Sequence, residues 1–321
     1  MTRPIVTVTR RLPEVVETEL RESFDVRLNA DDLPFGPLDL RRALESSDAL
    51  LCTVTDRLDR AAFGAPPVRT RIVANFGAGF NHVDLDAARD HGIVVTNTPG
   101  VLTDATAELA LTLMLMVGRR VTEGERELRA GKWTGWRPTH LVGRGLSGRT
   151  LGIVGMGRIG RAVARRAAAG FGMEVIYHTR TPTAEDEALG RRCASLEALL
   201  AAAEFVSLHA PATRETRHMI GPRELRMMRK DAVLINTARG ELVDEEALAD
   251  ALLEGVIHGA GLDVYEHEPS VHPRLLRLDH VVLLPHLGSA TDDARIGMGR
   301  RAIENLRAYF EGRTPPDRVA D

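Results

Sequence analysis

Residues Thr150-Leu151-Gly152-Ile153-Val154-Gly155-Met156-Gly157-Arg158-Ile159-Gly160 decide how this chain is read. A short apolar run leads into a glycine turn, and a helical pattern follows through Ala162, Val163, Ala164 and Ala167. The spacing gives each glycine its own task. Gly155 makes the tight turn, Gly157 lets the backbone approach a pyrophosphate, and Gly160 lets helix and strand pack closely. The helix N-terminus adds unpaired N–H groups and a positive partial charge. A glycine-rich turn by itself also serves as a plain loop. With a strand before it and a helix after it, this one predicts a dinucleotide phosphate site that includes Met156, Arg158 and Ile159.

Working outward, short β-branched runs alternate with helical stretches almost from end to end, the pattern of βα units around parallel sheets. Strands are expected at 5–9, 25–28, 49–52, 72–76 and 94–96, with helices near 15–23, 39–45 and 84–91. Gly92 stands where a helix C-cap needs a left-handed residue. A connecting helix begins near Thr103-Asp104, both suitable N-caps, and runs through Leu109, Leu113 and Met116. A second α/β run follows, with strands at 150–154, 173–177, 205–208, 232–235, 257–262 and 281–284. A last helix near 292–310 stops before Pro315-Pro316. Periodicity does not say on which domain that helix packs.

Composition narrows the function classes. A chain of 321 residues suits two domains better than one core, and two lobes imply a ligand cleft. With 42 Lys plus Arg against 45 Asp plus Glu, the net charge of −3 gives no nucleic-acid footprint. Two cysteines, Cys52 and Cys193, support neither a disulfide framework nor a zinc site, so no metal is expected. Met1-Thr2-Arg3-Pro4 leads straight into Ile5-Val6-Thr7-Val8 without a leader-like apolar stretch. The run 109–117, broken by Thr112, is far short of the ~20 residues of a membrane helix. These features predict a cytoplasmic protein with no membrane or nucleic-acid partner.

The strand after the glycine turn should end on an acid that holds the ribose 2′-hydroxyl if the cofactor is NAD. It reads Tyr177-His178-Thr179-Arg180 instead. An arginine there can pair with a 2′-phosphate, which favours NADPH. The alternative is a solvent-facing Arg180 beside an NAD site held by other contacts.

Three further segments fall at expected strand ends, where open α/β sheets bind ligands. They are Asn236-Thr237-Ala238-Arg239-Gly240, Asp263-Val264-Tyr265-Glu266-His267-Glu268-Pro269 and Leu284-Pro285-His286-Leu287-Gly288-Ser289. Together with Gly155–Gly160 and Asn97-Thr98-Pro99-Gly100, and over nearly the whole chain, they resemble the D-isomer-specific 2-hydroxyacid dehydrogenase family.

The resemblance implies an α/β fold of two Rossmann-like or flavodoxin-like domains with parallel sheets and the active site in the cleft between them. Residues 1–99 and 286–321 would form the substrate domain and residues 100–285 the dinucleotide domain. It implies a catalytic set of Arg239, Glu268 and His286. The chemistry asks for these types: a planar guanidinium clamps a carboxylate, a histidine delivers a proton near neutral pH, and a carboxylate favours the imidazolium. Each type alone is more commonly a surface or loop residue. Joined in these motifs they predict hydride transfer from NAD(P)H to a 2-keto acid, giving a D-2-hydroxy acid.

The resemblance also assigns Thr106, Ala210, Pro211, Thr237, Ala238, Asp263 and Gly288 to the cofactor, with Asp263 on the nicotinamide amide. Substrate carboxylate would meet the turn Gly77-Ala78-Gly79, whose glycines permit the positive φ of an anion nest, beside Thr53 and Val54. Trp133-Thr134-Gly135-Trp136-Arg137-Pro138 resembles the dimer arm of glyoxylate and hydroxypyruvate reductases. In that group the second tryptophan, here Trp136, reaches a neighbour's substrate pocket; both tryptophans could equally be interface filler. Glyoxylate or hydroxypyruvate and a homodimer are therefore expected. A phosphoglycerate dehydrogenase-like enzyme, another D-2-hydroxyacid dehydrogenase, or a nucleotide-sensing corepressor remain alternatives.

Overall fold

The structure, a computed structural model, describes residues 3–319. Met1, Thr2, Ala320 and Asp321, and with them the first residues of the stretch expected to lack a leader and the outer limits of the expected first domain, lie outside the described residues. The chain divides into two compact units: one runs up to Leu102 and resumes at Ala290, and the other is Thr103–Ser289. The breaks fall a few residues beyond the expected 99 and 285, which puts His286 in the second unit.

In the first unit, strands β1 (Ile5–Val8), β2 (Asp25–Leu28), β3 (Ala49–Cys52), β4 (Ile72–Asn75) and β5 (Val94–Thr96) form a parallel sheet in the order β2-β1-β3-β4-β5. The interior strands β3 and β4, Ala-Leu-Leu-Cys and Ile-Val-Ala-Asn, are buried at every position, as strands covered on both faces must be. The strand order reverses between β1 and β3, the point at which such sheets open a crevice beyond their carboxyl ends. Helix Asp292–Phe310 belongs to this unit. Thr291 caps it by accepting the Ala294 N–H, and Gly299 brings it so close to Val16 that a Cβ would collide.

The second unit holds β6 (Thr150–Val154), β7 (Glu174–His178), β8 (Arg191–Arg192), β9 (Phe205–Leu208), β10 (Val233–Asn236), β11 (Gly259–Leu262) and β12 (Val281–Leu283). They form a seven-stranded parallel sheet in the order β12-β11-β10-β9-β6-β7-β8. Helix Thr103–Gly118 lays Ala107, Ala110, Leu113, Met114 and Val117 into its core. Among the described residues no helix is long and apolar enough to cross a membrane.

Strand limits differ from expectation where a helix cap reaches into the connection. The strand expected at 173–177 is Glu174–His178, because Gly172 at φ 61° ends the preceding helix and Met173 donates its N–H to Ala167. The strand expected at 257–262 starts at Gly259; Val256 still closes the helix before it by donating to Ala251. The exposed pair Arg191–Arg192 carries no strand signal in sequence and is fixed only by pairing with β7.

Candidate active site

The glycine turn does what its spacing asks. Gly155 has φ 95°, and a Cβ there would stand 2.7 Å from the His209 carbonyl oxygen, so only glycine lets the turn meet the 209–210 backbone. A Cβ on Gly160 would run into the Gly155 carbonyl, whereas one on Gly157 would meet nothing within 4 Å. The turn is therefore packed from below and open at the N-terminus of helix Arg158–Phe171. His209 binds Ser207 Oγ through Nε2 at 2.9 Å, and burial pushes its pKa down to about 4, so the ring is neutral and adds no charge beside the turn. At the next strand end, His178 closes β7 with its Nδ1 3.4 Å from the Cys193 carbonyl, Thr179 is half-buried, and Arg180 is exposed.

Beyond β9, Ala210 is half-buried and Pro211 exposed, with Thr216 Oγ1 donating to the Pro211 carbonyl at 2.7 Å. Beyond β10, Asn236 organises the next turn. Its Oδ1 accepts the Ala238 N–H at 3.1 Å and its Nδ2 donates to the Arg239 carbonyl at 2.8 Å. The buried Thr237 hydroxyl has no partner among the described residues. Arg239 is half-buried and donates from Nη1 to the Ala238 carbonyl at 2.6 Å. Burial lowers its pKa, and the charges of Glu241 and Glu268 oppose that shift. A Cβ on Gly240 would collide with the Tyr265 main chain, so this turn is seated directly on the loop that carries Glu268.

In that loop, Glu268 Oε1 accepts the Tyr265 N–H at 3.0 Å, and Tyr265 Oη donates to the Leu284 carbonyl at 2.8 Å. The loop is thereby tied to the end of β12. Glu268 Oε2 stands 2.8 Å from His286 Nδ1. Burial alone would raise the Glu268 carboxyl, but the hydrogen bond and charge of His286, the Tyr265 N–H and the Arg239 charge hold it below the usual carboxylate range. A charged carboxylate only accepts, so Nδ1 carries a proton and Nε2 is left for chemistry.

His286 has φ 55°, a left-handed conformation that an L side chain adopts only at a cost. Asp263 is what holds it there. Its carbonyl accepts the His286 N–H at 2.9 Å, its Oδ1 the Leu287 N–H at 2.6 Å and its Oδ2 the Gly288 N–H at 2.8 Å. Thr106 Oγ1 donates to the Gly288 carbonyl at 2.9 Å from the other side. Burial raises the Asp263 carboxyl, against the pull of these N–H groups and of His286. Thus Arg239, Glu268 and His286 meet at the ends of three neighbouring strands of one sheet, with Thr106, Thr237, Ala238, Asp263 and Gly288 around them.

Sequence reasoning passed over Asn236 and Tyr265, and gave Asp263 a ligand contact rather than this bracket. An Asn at a strand end two residues before a needed N–H is a legible turn signal. The roles of Tyr265 and Asp263 depend on neighbours 19 and 25 positions away.

In the first unit, the carbonyls of Gly77 and Gly79 both accept from Asn75 Nδ2, at 3.0 and 2.9 Å, and that of Ala78 accepts from Asn97 Nδ2 at 2.7 Å. The expectation of a positive-φ nest needs correction at Gly77, which lies outside the left-handed region and spends its N–H on the Asn75 carbonyl. Two asparagine side chains, not glycine torsions, set the peptide planes of this turn. Thr53 and Val54 occupy the turn after β3. Trp133 and Trp136 are 52% and 82% exposed in the arm after helix Val121–Arg129, which itself buries nothing.

Among the described residues no group of three or more His, Cys, Asp or Glu could hold a metal ion. A dinucleotide fits the glycine turn: the helix N-terminus is unobstructed, and the unpartnered Thr237 hydroxyl lies in the segment after β10.

Comparison with known proteins identifies the family. The family profile described as D-isomer specific 2-hydroxyacid dehydrogenase, NAD binding domain, matches residues 111–288. The chain is 46% identical to a glyoxylate reductase from Thermococcus litoralis, over 99% of this chain and 97% of that protein. It is 35% identical, with a TM-score of 0.88, to the crystal structure of an NADPH-dependent glyoxylate/hydroxypyruvate reductase from Sinorhizobium meliloti in complex with NADP and malonate. That match covers 99% of this chain and 97% of the other. A glyoxylate reductase structure from Paecilomyes thermophila aligns at 33% identity and a TM-score of 0.87, covering 99% of each chain. On these grounds the chain belongs to the D-isomer-specific 2-hydroxyacid dehydrogenase family of nicotinamide-dependent oxidoreductases.

Proposed function

We propose that the protein reduces glyoxylate or hydroxypyruvate to the corresponding D-2-hydroxy acid and prefers NADPH to NADH. The observation that carries this reading is the 2.8 Å pair of His286 Nδ1 and Glu268 Oε2, beside Arg239 on the same sheet edge. The chain's similarity to glyoxylate reductases supports the choice of substrate.

Bound in its reduced form, the nicotinamide supplies the hydride, two electrons and a hydrogen to the carbonyl carbon. The residues of the chain do the rest. Arg239 holds the substrate carboxylate by two parallel N–H contacts and so fixes which face of the carbonyl is presented. His286 gives the Nε2 proton to the carbonyl oxygen as negative charge builds there. Glu268 accepts the Nδ1–H and so keeps the ring in one orientation and one tautomer. In the reverse direction the neutral ring takes the hydroxyl proton. The first unit would add carboxylate recognition through Thr53, Val54 and the turn Gly77-Ala78-Gly79, and the second would carry the dinucleotide through Gly155–Gly160, Ala210, Pro211 and the residues around His286.

The NADPH preference rests on the end of β7, where no Asp or Glu follows Tyr177 and Arg180 is exposed to pair with a 2′-phosphate, with His178 and Thr179 beside it. The reductase from Sinorhizobium meliloti is NADPH-dependent. A homodimer through the exposed arm of Leu128, Trp133, Trp136 and Val142 would cover apolar surface that water otherwise meets, and Trp136 would reach the partner's substrate pocket. The direct test follows the absorbance of NADPH and NADH with a panel of 2-keto acids. Turnover of glyoxylate or hydroxypyruvate well above that of longer keto acids is expected. Tight dinucleotide binding with no turnover of any keto acid would replace the enzyme by a nucleotide sensor.

A further inference from the structure

Asp56 is a fully buried carboxyl that the mechanism above does not use. It sits just past the carboxyl end of β3, beside the end of β1, where the strand order of the first unit's sheet reverses. Its Oδ2 gathers three donors: Thr9 Oγ1 at 2.5 Å, the Thr53 N–H at 2.7 Å and Thr53 Oγ1 at 3.3 Å. The turn is closed from the other side by the Asp56 N–H, which donates to the Thr53 carbonyl at 3.0 Å. Oδ1 has no partner among the described residues. Burying a carboxyl with one oxygen unsatisfied is costly, and burial raises its pKa above the ordinary range despite these donors. A turn that needed only to be closed could be closed by its own backbone; the acid here is spent on fixing Thr53 to Thr9.

We propose that Asp56 is a positioning residue for substrate recognition, fastening the turn that carries Thr53 and Val54 to Thr9, which follows β1. This rests on the reading that Thr53 and Val54 meet the substrate carboxylate. Asp56 itself touches no substrate. It holds the turn in one conformation, so that the cost of ordering it is met on folding and not on binding.

The experiment compares Asp56→Ala, Asp56→Asn and Thr9→Val with the wild-type protein. Keto-acid KM and kcat, NADPH Kd by fluorescence, Kd for the non-reacting analogue oxalate on the NADPH complex, and the thermal midpoint are measured for each. Asp56→Ala is expected to raise KM and the oxalate Kd by about tenfold, the scale of losing a hydrogen-bond anchor, with kcat and NADPH Kd within about threefold of wild type. Asp56→Asn should return KM toward wild type, because the amide oxygen can take the donors of Oδ2 while its nitrogen replaces the unpartnered Oδ1. Should Asp56→Ala fail to fold, Thr9→Val, which removes the hydroxyl's bond to Asp56 and its longer contact with the Leu51 carbonyl but keeps the shape, should raise KM a few-fold by itself. The proposal falls if KM and oxalate Kd stay unchanged in Asp56→Ala, or in Thr9→Val where Asp56→Ala does not fold. It also falls if Asn is as poor as Ala, or if NADPH Kd rises and kcat drops in step with the rise in KM. A wild-type protein that turns over no keto acid and binds no oxalate would instead remove the functional reading, and this inference with it.

Discussion

Replacing Glu268 by Gln tests the mechanism with little change of shape. Glu268 serves two donors at once, the Tyr265 N–H on Oε1 at 3.0 Å and His286 Nδ1 on Oε2 at 2.8 Å. A glutamine has one oxygen for these two donors, so one of them faces an NH2 group. A hydrogen bond to a charged group contributes about 1.5–3 kcal/mol and a neutral one about 0.5–1.5. The exchange therefore removes about 1–1.5 kcal/mol from the protonated pair, taking the low end because both side chains are about a third exposed. The sign follows from the carboxyl. His286 and its neighbours lower Glu268 below its ordinary range, so the carboxylate is charged above that range and is neutralised as pH falls through the lowered value. Wild-type kcat/KM should therefore fall as pH drops through the lowered Glu268 value, because a protonated carboxyl no longer holds the Nδ1–H as a charged acceptor. A glutamine has no such proton to take up. Glu268→Gln should lose this acid-side fall while its reductive kcat/KM drops about tenfold at neutral pH, since about 1.4 kcal/mol is a factor of ten. NADPH Kd should stay unchanged. A pH profile that superimposes on the wild-type curve would refute the role given to Glu268.

His286→Ala should lower turnover by about two to four orders of magnitude, the range for losing a general acid, while NADPH titration shows unchanged binding. Arg239→Lys should damage both keto-acid KM and kcat, because an ammonium cannot make the planar two-point contact; an unchanged kcat/KM would move the clamp elsewhere. Arg180→Ala should lower kcat/KM for NADPH several-fold and leave NADH nearly untouched, on the scale of about 1 kcal/mol for an exposed ion pair; equal losses for both cofactors would mean that Arg180 does not read the phosphate. Light scattering should give twice the 35.1 kDa of the chain, and a single-chain mass at assay concentration would count against the arm as an interface.

Much of the site was legible because its chemistry is written in short motifs. The glycine spacing from Gly155 to Gly160 requires a turn, an open approach and a close helix contact within one strand–helix unit, and all three are found there. Arg239, Glu268 and His286 were legible as a set through the family resemblance of the three motifs that carry them, each of which falls at a strand end. What stayed illegible acts across the fold. Nothing in the sequence near Asp263 says that it holds the three consecutive N–H groups of His286, Leu287 and Gly288, since those donors lie 23 to 25 positions later.

The sequence by itself therefore determined the α/β class, the near limits of most strands and the glycine turn, because periodicity and glycine spacing are local properties. Only the tertiary structure decided the rest. It placed helix Asp292–Phe310 in the first unit, through the approach of Gly299 to Val16. It gave the planes of the Gly77–Gly79 turn to Asn75 and Asn97, and it held His286 in a conformation that its own backbone disfavours. Apart from the local reach of Asn75, each of these depends on which distant group arrives as a neighbour, and packing sets that where local preference does not.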